Sequence, residues 1–187
     1  MKFTPFFEPG SRTLLDFRVT IRSGDCPHCH LRGALIAHGY LSGHAATGHD
    51  QVTRGQRFFC SNRYSKLGCG GSFSVHWHNV IPYCSLRTDQ LFELLEKCAA
   101  AASTHAAWQA SRLIFSLRTA CRWLARWRDL TSHVRARLGL VAAPPGKTDG
   151  HADPMTLRHL LVAFPHAACP IAAFQHDQQV AITGLPC

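Results

Sequence analysis

The sequence predicts an α+β fold, with a small β unit first, a three-helix bundle after it and a short helical C-terminal tail. Three observations carry this expectation. Cysteines arrive in two groups around strand-like, turn-rich sequence, at Cys26 and Cys29 and again at Cys60 and Cys69. From Thr88 onward the apolar residues change to the three- and four-residue spacing of α-helices. Near the end, Pro144-Pro145-Gly146 breaks the chain and leaves a remainder too short to enclose a core of its own.

The 187 residues have room for one medium domain or two small ones, and they carry a net charge of +9. That charge is uneven: residues 26–87 carry +5 and residues 88–140 carry +4, against +1 for residues 1–25 and −1 for residues 141–187. A basic body favours polyanionic partners, by attraction and by release of their counterions. Nine cysteines is an odd number, and the Cys-x-x-Cys pair among them points to metal ligation in a reducing cytoplasm rather than to a disulfide framework. The opening residues lack the apolar run of a secretion signal, and no stretch approaches the ~18 uninterrupted apolar residues of a membrane span. Neither export nor a membrane partner is expected.

Residues 1–13, broken by Pro5, Pro9 and Gly10, read as an irregular lead-in. Phe17, Val19 and Ile21 alternate with Arg18, Thr20 and Arg22, the period of a strand with one basic face. That strand would deliver the chain to Cys26-Pro27-His28-Cys29. Residues 34–41 predict another strand, residues 42–50 a turn-rich loop, and residues 51–59 the antiparallel return that brings Cys60 beside Cys29. Eight residues then separate Cys60 from Cys69, and residues 72–77 supply a last strand, ended by Pro82.

Two pairs of thiols around a hairpin form the ligand pattern of a zinc ribbon. Zinc takes four tetrahedral ligands, and a close pair of thiolates supplies two of them with little chain entropy lost. Cys26, Cys29, Cys60 and Cys69 are therefore expected to hold one structural Zn2+, in a ribbon spanning residues 14–82. Gly70 and Gly71 let backbone amides turn toward the sulfur of Cys69. A unit this small buries little apolar surface, so the metal is expected to supply on the order of 10 kcal/mol or more of its stability.

Residues 86–140 predict the helical bundle. Thr88 is the expected N-cap of a first helix, with Asp89 in its first turn and Leu91, Leu94, Leu95, Cys98 and Ala102 along one face. Ser103 or Thr104 caps a short second helix through Ala110, a break follows at Ile114-Phe115, and Ser116 caps a third helix from Leu117. At 100° per residue, Leu117, Ala120, Cys121, Trp123, Leu124 and Trp127 share one apolar arc. Arg118, Arg122 and Arg126 stack on the opposite side with Thr119 beside them. Helical spacing continues through Leu130, Val134 and Leu138, and Gly139 stops it. Residues 141–153 predict a linker. In the tail, residues 154–187, Asp153 and Pro154 start one short helix and Pro170 another. This tail either packs back on the bundle or docks on a partner.

A short helix, a tight turn and a basic helix form the helix-turn-helix arrangement, whose second member enters the DNA major groove. Double-stranded DNA is thus the expected partner. Arg118 and Thr119 are candidates for base contacts, Arg122 for base or phosphate, and Arg126 and Arg128 for phosphates. Arg54, Arg57, Arg63 and Lys66 extend the same basic character to the ribbon.

The run Phe59-Cys60-Ser61-Asn62-Arg63, then Gly68-Cys69-Gly70 and Ser72-Phe73-Ser74-Val75, resembles the zinc-ribbon module of insertion-sequence transposases and related mobile-element DNA-binding proteins. The resemblance covers roughly residues 20–135. It departs from the pattern at His30, where glycine is common, and in the lengthening of the second knuckle by residues 62–68. It implies sequence-specific binding to element ends by ribbon and helices together. A full transposase would add a domain with three metal-binding carboxylates, whereas only Asp149, Asp153 and Asp177 follow residue 140. The expectation is a non-catalytic, nucleoid-associated accessory factor in transposition or recombination, working beside a separately encoded recombinase or transposase that the tail recruits.

Two other classes stand beside it. Zinc ribbons also serve as protein-interaction modules and in transcription regulators. Thirteen histidines invite a nuclease, with His76 and His78 on one face of a strand as its best pair, but no His-Glu-x-x-His motif occurs and Asp50 is the one acid between residues 26 and 87. Whether His28, His30, His76 or His78 binds a metal is left open by spacing alone, although His28, between two ligands, is expected to point outward.

Overall fold

The computed structural model describes residues 6–7, 14–44, 50–84, 86–146 and 152–182. Its β unit is a sheet in the order β1-β4-β3-β2. The hairpin of β2 (Leu35–His44) and β3 (Gln51–Cys60) is antiparallel, running from Leu35↔Cys60 to His44↔Gln51. β2 reaches into the residues expected to form the loop, and residues 45–49 of that loop lie outside the described residues. β4 (Ser72–Trp77) pairs antiparallel with β3, and the two-residue β1 (Phe6–Phe7) adds in parallel at the far edge. Gly55 sits where β3 and β4 approach closely, since a Cβ there would lie 2.1 Å from the Val75 carbonyl oxygen. The inward residues Phe58, Phe73 and Val75 pack with Leu35, Ala34, Cys26 and Cys60 in a small core.

The strand expected around Phe17, Val19 and Ile21 is instead the helix α1 (Leu14–Arg22). Period-two spacing over five residues also places the first and last a helical turn apart, so Phe17 and Ile21 fit either period. Ile21 packs on the core of the β unit while Val19 is 62 % exposed, an asymmetry suited to a surface helix. Arg18, on the same helix, donates to Gln56 Oε1 at 3.0 Å and lies 5.2 Å from the centre of the Tyr40 ring.

The helical elements follow their sequence signals closely. α2 (Thr88–Ala100) begins at the residue expected to cap it; the cap position is Arg87, whose N–H donates to Gln90 Oε1 at 3.2 Å. Ser103 caps α3 (Thr104–Ser111) by accepting from the Ala106 N–H, and Ser116 caps α4 (Leu117–Leu138) by accepting from that of Thr119. Between them Arg112 adopts φ 49° and the Trp108 indole N–H donates to the Phe115 carbonyl at 2.9 Å, fixing the turn. α4 runs unbroken for 22 residues to Gly139 and buries Ala120, Leu124, Trp127, Thr131, Val134 and Leu138. Its apolar arc is narrower than expected: Trp123 is only partly buried, and Cys121, which the wheel placed in the core, is exposed.

α5 (Ala152–Ala163) starts before Asp153, which sits in the first turn rather than at the cap, and α6 (Pro170–Gln178) opens with Pro170. Of the two fates open to the tail, its described residues pack back. Leu157, Leu160, Ile171, Phe174 and Ile182 share one core with Leu91, Leu94, Leu124, Trp127, Ile81 and Leu86. Residues 154–182 are therefore part of the bundle rather than an appendage to it.

Two glutamines, Gln175 on α6 and Gln179 just past its end, join this bundle to the sheet. The fully buried Gln175 donates to the carbonyls of His78 (2.7 Å) and Val80 (3.0 Å) and accepts from the Ile182 N–H at 3.0 Å. Gln179 accepts from the Phe6 N–H at 2.7 Å and donates to the Phe6 carbonyl at 3.0 Å.

Because Phe174 is 1 % exposed in this shared core, Phe174→Ala should cost about 3–5 kcal/mol of stability. Urea denaturation followed by tryptophan fluorescence reads the effect. A loss within the range of a surface substitution would mean that the tail does not hold the bundle.

Candidate metal centre

Four thiols converge between the two knuckles, with their Sγ atoms all within 4.8 Å of one another. Cys26 Sγ lies 3.8 Å from Cys69 Sγ, and Cys29 Sγ lies 3.7 Å from Cys60 Sγ. These are far beyond the ~2.05 Å of a disulfide. They do match a zinc tetrahedron, where Zn–S bonds of about 2.3 Å set sulfur–sulfur edges of roughly 3.8 Å. The four thiols therefore fit a single tetrahedral metal ion.

Backbone geometry aims each sulfur. In the first knuckle the Cys26 N–H donates to Leu31 O and the His30 N–H to Cys26 O, closing a turn in which His30 adopts φ 60°. That left-handed conformation is the reason glycine suits the place His30 occupies. The second knuckle closes by Gly70 N–H to Cys60 O and Cys60 N–H to Gly71 O, with Gly70 at φ 73°. Amides of His28 and Gly71 donate to Cys26 Sγ and Cys69 Sγ at 3.4 Å.

The extra residues of the long knuckle are looped out. Gly68 N–H donates to Ser61 O at 2.9 Å and pinches the base, where a Cβ on Gly68 would lie 2.2 Å from that oxygen. The lengthening therefore leaves the thiol geometry intact and presents Tyr64 and Leu67, 95 % and 85 % exposed, at the surface.

The thiols differ in acidity. The Leu31 backbone amide beside Cys29 lowers its pKa to about 7, whereas burial pushes Cys60 up to about 12. Without metal Cys60 holds its proton at neutral pH, so an incoming ion must displace it, and affinity must rise with pH.

The histidines of the β unit stand outside this set. His28 is exposed, with its ring against Phe73 and Nε2 at 3.3 Å from Ser72 O. His76 and His78 do not form a shared face. His76 is buried beside the Phe6 ring, and burial, with the Arg54 cation adding, lowers its pKa to about 4. His78 falls beyond the end of β4.

The expected DNA-contact residues separate into two groups. Arg118 and Arg122 are exposed on α4, with Thr119 half-buried between them, and Arg57, Arg63 and Lys66 are exposed on the β unit. Thr119, Arg122, Trp123 and Arg126 line a shallow hollow of 240 Å³, with the Arg126 guanidinium 5.8 Å from the centre of the Trp123 ring. Arg54 is committed within the fold, whereas Arg128 is exposed and paired at the surface. The Arg54 stem crosses Gly43, and its Nη2 donates to the Ile81 and Leu86 carbonyls, each at 3.4 Å. Arg128 Nε lies 3.0 Å from Asp153 Oδ2 on α5. A strand pattern alone gives no sign that Arg54 would turn inward.

No helix among the described residues is long and apolar enough to cross a membrane. Comparison with family models, with curated proteins and with solved structures finds no match to this chain.

After dialysis against a mild chelator, elemental analysis should find one zinc per chain, and Cys60→Ser should lose it together with the ribbon's cooperative melt. Zinc affinity, measured by competition with a chromogenic chelator, should rise as pH goes from about 6 to about 8. A metal-free preparation with an undiminished melt would remove the structural role.

Proposed function

We propose that this chain is a zinc-dependent, sequence-specific DNA-binding protein, a non-catalytic accessory factor in the transposition or recombination of a mobile element. The observation that carries the proposal is the α3–turn–α4 unit. Its two helices are capped by Ser103 and Ser116, its turn is fixed by the Trp108 indole, and the start of its longer helix presents Arg118 and Arg122 outward. Neither guanidinium enters an ion pair among the described residues, so both remain available to an anionic partner.

A helix-turn-helix of this kind seats its second helix in the major groove, with base contacts near the N-terminus and backbone contacts farther along. Arg118 and Thr119 then face base edges, and Arg118 has the planar fork for a bidentate pair with guanine. Arg122 and Arg126 serve phosphates one and two turns later. On the ribbon, Arg57, Arg63 and Lys66 add phosphate contacts, while Arg54 positions the sheet against the bundle. The assignment to a mobile element rests on the knuckle resemblance, as does the separately encoded recombinase or transposase as partner. The tail offers that partner only its outward face, where Leu161 and Val162 are exposed.

One observation favours protein docking instead: the looped-out knuckle exposes Tyr64 and Leu67 together. Salt separates the two. Binding through about six phosphates weakens with a log–log slope near −5, whereas an apolar contact barely responds.

Selection from randomised duplexes tests the DNA assignment. Arg118→Ala should cost about 1–3 kcal/mol on the selected site and relax the choice of one base. Arg126→Ala should weaken binding to all sequences alike and reduce the salt slope by about one. Unchanged affinity and preference in Arg118→Ala would leave the α4 stripe as a solvated face.

A further inference from the structure

We propose that a second metal site, built from imidazoles rather than thiolates, lies in the cleft between the end of β4, the start of α2 and helix α6. The cleft has a volume of about 710 Å³, and His78, His166, His176 and Asp177 are in its lining. The His78 and His176 rings sit edge to face with centres 6.1 Å apart. Two imidazoles sharing one ion at bond lengths of about 2.1 Å place their centres roughly 5–6 Å apart, so a small rotation of the exposed His176 closes the pair.

His78 is already oriented as a ligand. Its Nδ1 lies 3.2 Å from the Phe7 carbonyl oxygen, the arrangement that fixes a metal-binding imidazole with Nε2 free to coordinate. The backbone on both sides is rigid, because Gln175, next to His176, donates to the carbonyls of His78 and Val80.

Two further observations point to a ligand here. Asn79 Oδ1 and Thr88 Oγ1 are buried without a hydrogen-bond partner among the described residues, and both residues line this cleft. The arginine of the lining, Arg87, is bidentate on Asp89 at 2.9 and 3.1 Å, so it does not oppose a cation.

His78, His176 and His166 as donors, with water completing the shell, select Zn2+, Ni2+ or Co2+ over Mg2+ and Ca2+. Only the four cysteines bring three or more donors within 4.8 Å among the described residues, so the histidine site must close on its ion. It is therefore the weaker and more exchangeable of the two. It does not depend on the DNA-binding proposal.

Calorimetric titration of the zinc-retaining, chelator-dialysed protein with Ni2+ tests it. Uptake of one nickel per chain is expected, with affinity falling about tenfold or more in His176→Ala and in His166→Ala. The affinity should be unchanged in His105→Ala, an exposed imidazole on α3. His166 and His176 are both exposed, so these variants should keep the wild-type melt and the thiolate-bound zinc. Failure to take up nickel overturns the proposal, and so does uptake that both His176→Ala and His166→Ala leave unaltered.

Discussion

The four-sulfur cluster is the constraint on which the β unit depends. Seven buried residues make up that unit's core, and two of them are the candidate ligands Cys26 and Cys60. Such a core cannot offset the entropy of ordering a hairpin, two knuckles and an edge strand. Geometry at the sulfurs must therefore fix the rest. The Leu35↔Cys60 register seats one thiol under the first knuckle, and left-handed His30 and Gly70 close the turns that aim the others. Chain length beyond that is free to vary, which is why eight residues fit between Cys60 and Cys69 once Gly68 pinches their base.

Positive charge in this chain has two fates that composition cannot separate. Arg54 and Arg128 engage their guanidinium groups with partners in the fold, Arg54 on backbone carbonyls and the exposed Arg128 on Asp153. Arg18 does so as well, across the Tyr40 ring and onto Gln56. Arg118, Arg122, Arg57, Arg63 and Lys66 stay at the surface. The structural arginines lie at joints, between sheet and bundle, between α4 and α5, and between α1 and the hairpin. A net charge of +9 thus overstates the electrostatic face available to a polyanion.

Legibility followed the range of the interaction. The thiol set, the hairpin, β4 and both serine caps could be read because each is encoded within a few residues by spacing or by a capping side chain. A strand is expected where α1 forms because five residues of alternating hydrophobicity suit either period, and only packing of Ile21 against the core of the β unit decides between them. The inward turn of Arg54, the exposure of Cys121 and the two-residue β1 depend on partners distant in sequence. So does the burial of the tail, since its apolar residues suit a neighbouring bundle and a foreign surface equally well. The histidine cleft gathers His78 from the turn after β4, His166 from the α5–α6 connection and His176 from α6, and no local spacing announces it.

The clamp of Gln179 on Phe6 orders events in time during synthesis. The side-chain amide acts as a surrogate peptide unit, giving and accepting one hydrogen bond each with a residue 173 positions earlier. The edge strand at Phe6 is made before α6, yet its clamp closes only once α6 has emerged and docked. The thiol-bearing hairpin can close long before that, leaving the outer edge of β4 covered only by the unclamped, two-residue β1 while the helices are still being made. So lightly covered an edge is a template for association with other nascent chains. The last helix of the fold is thus also the cover for one of its first-made surfaces.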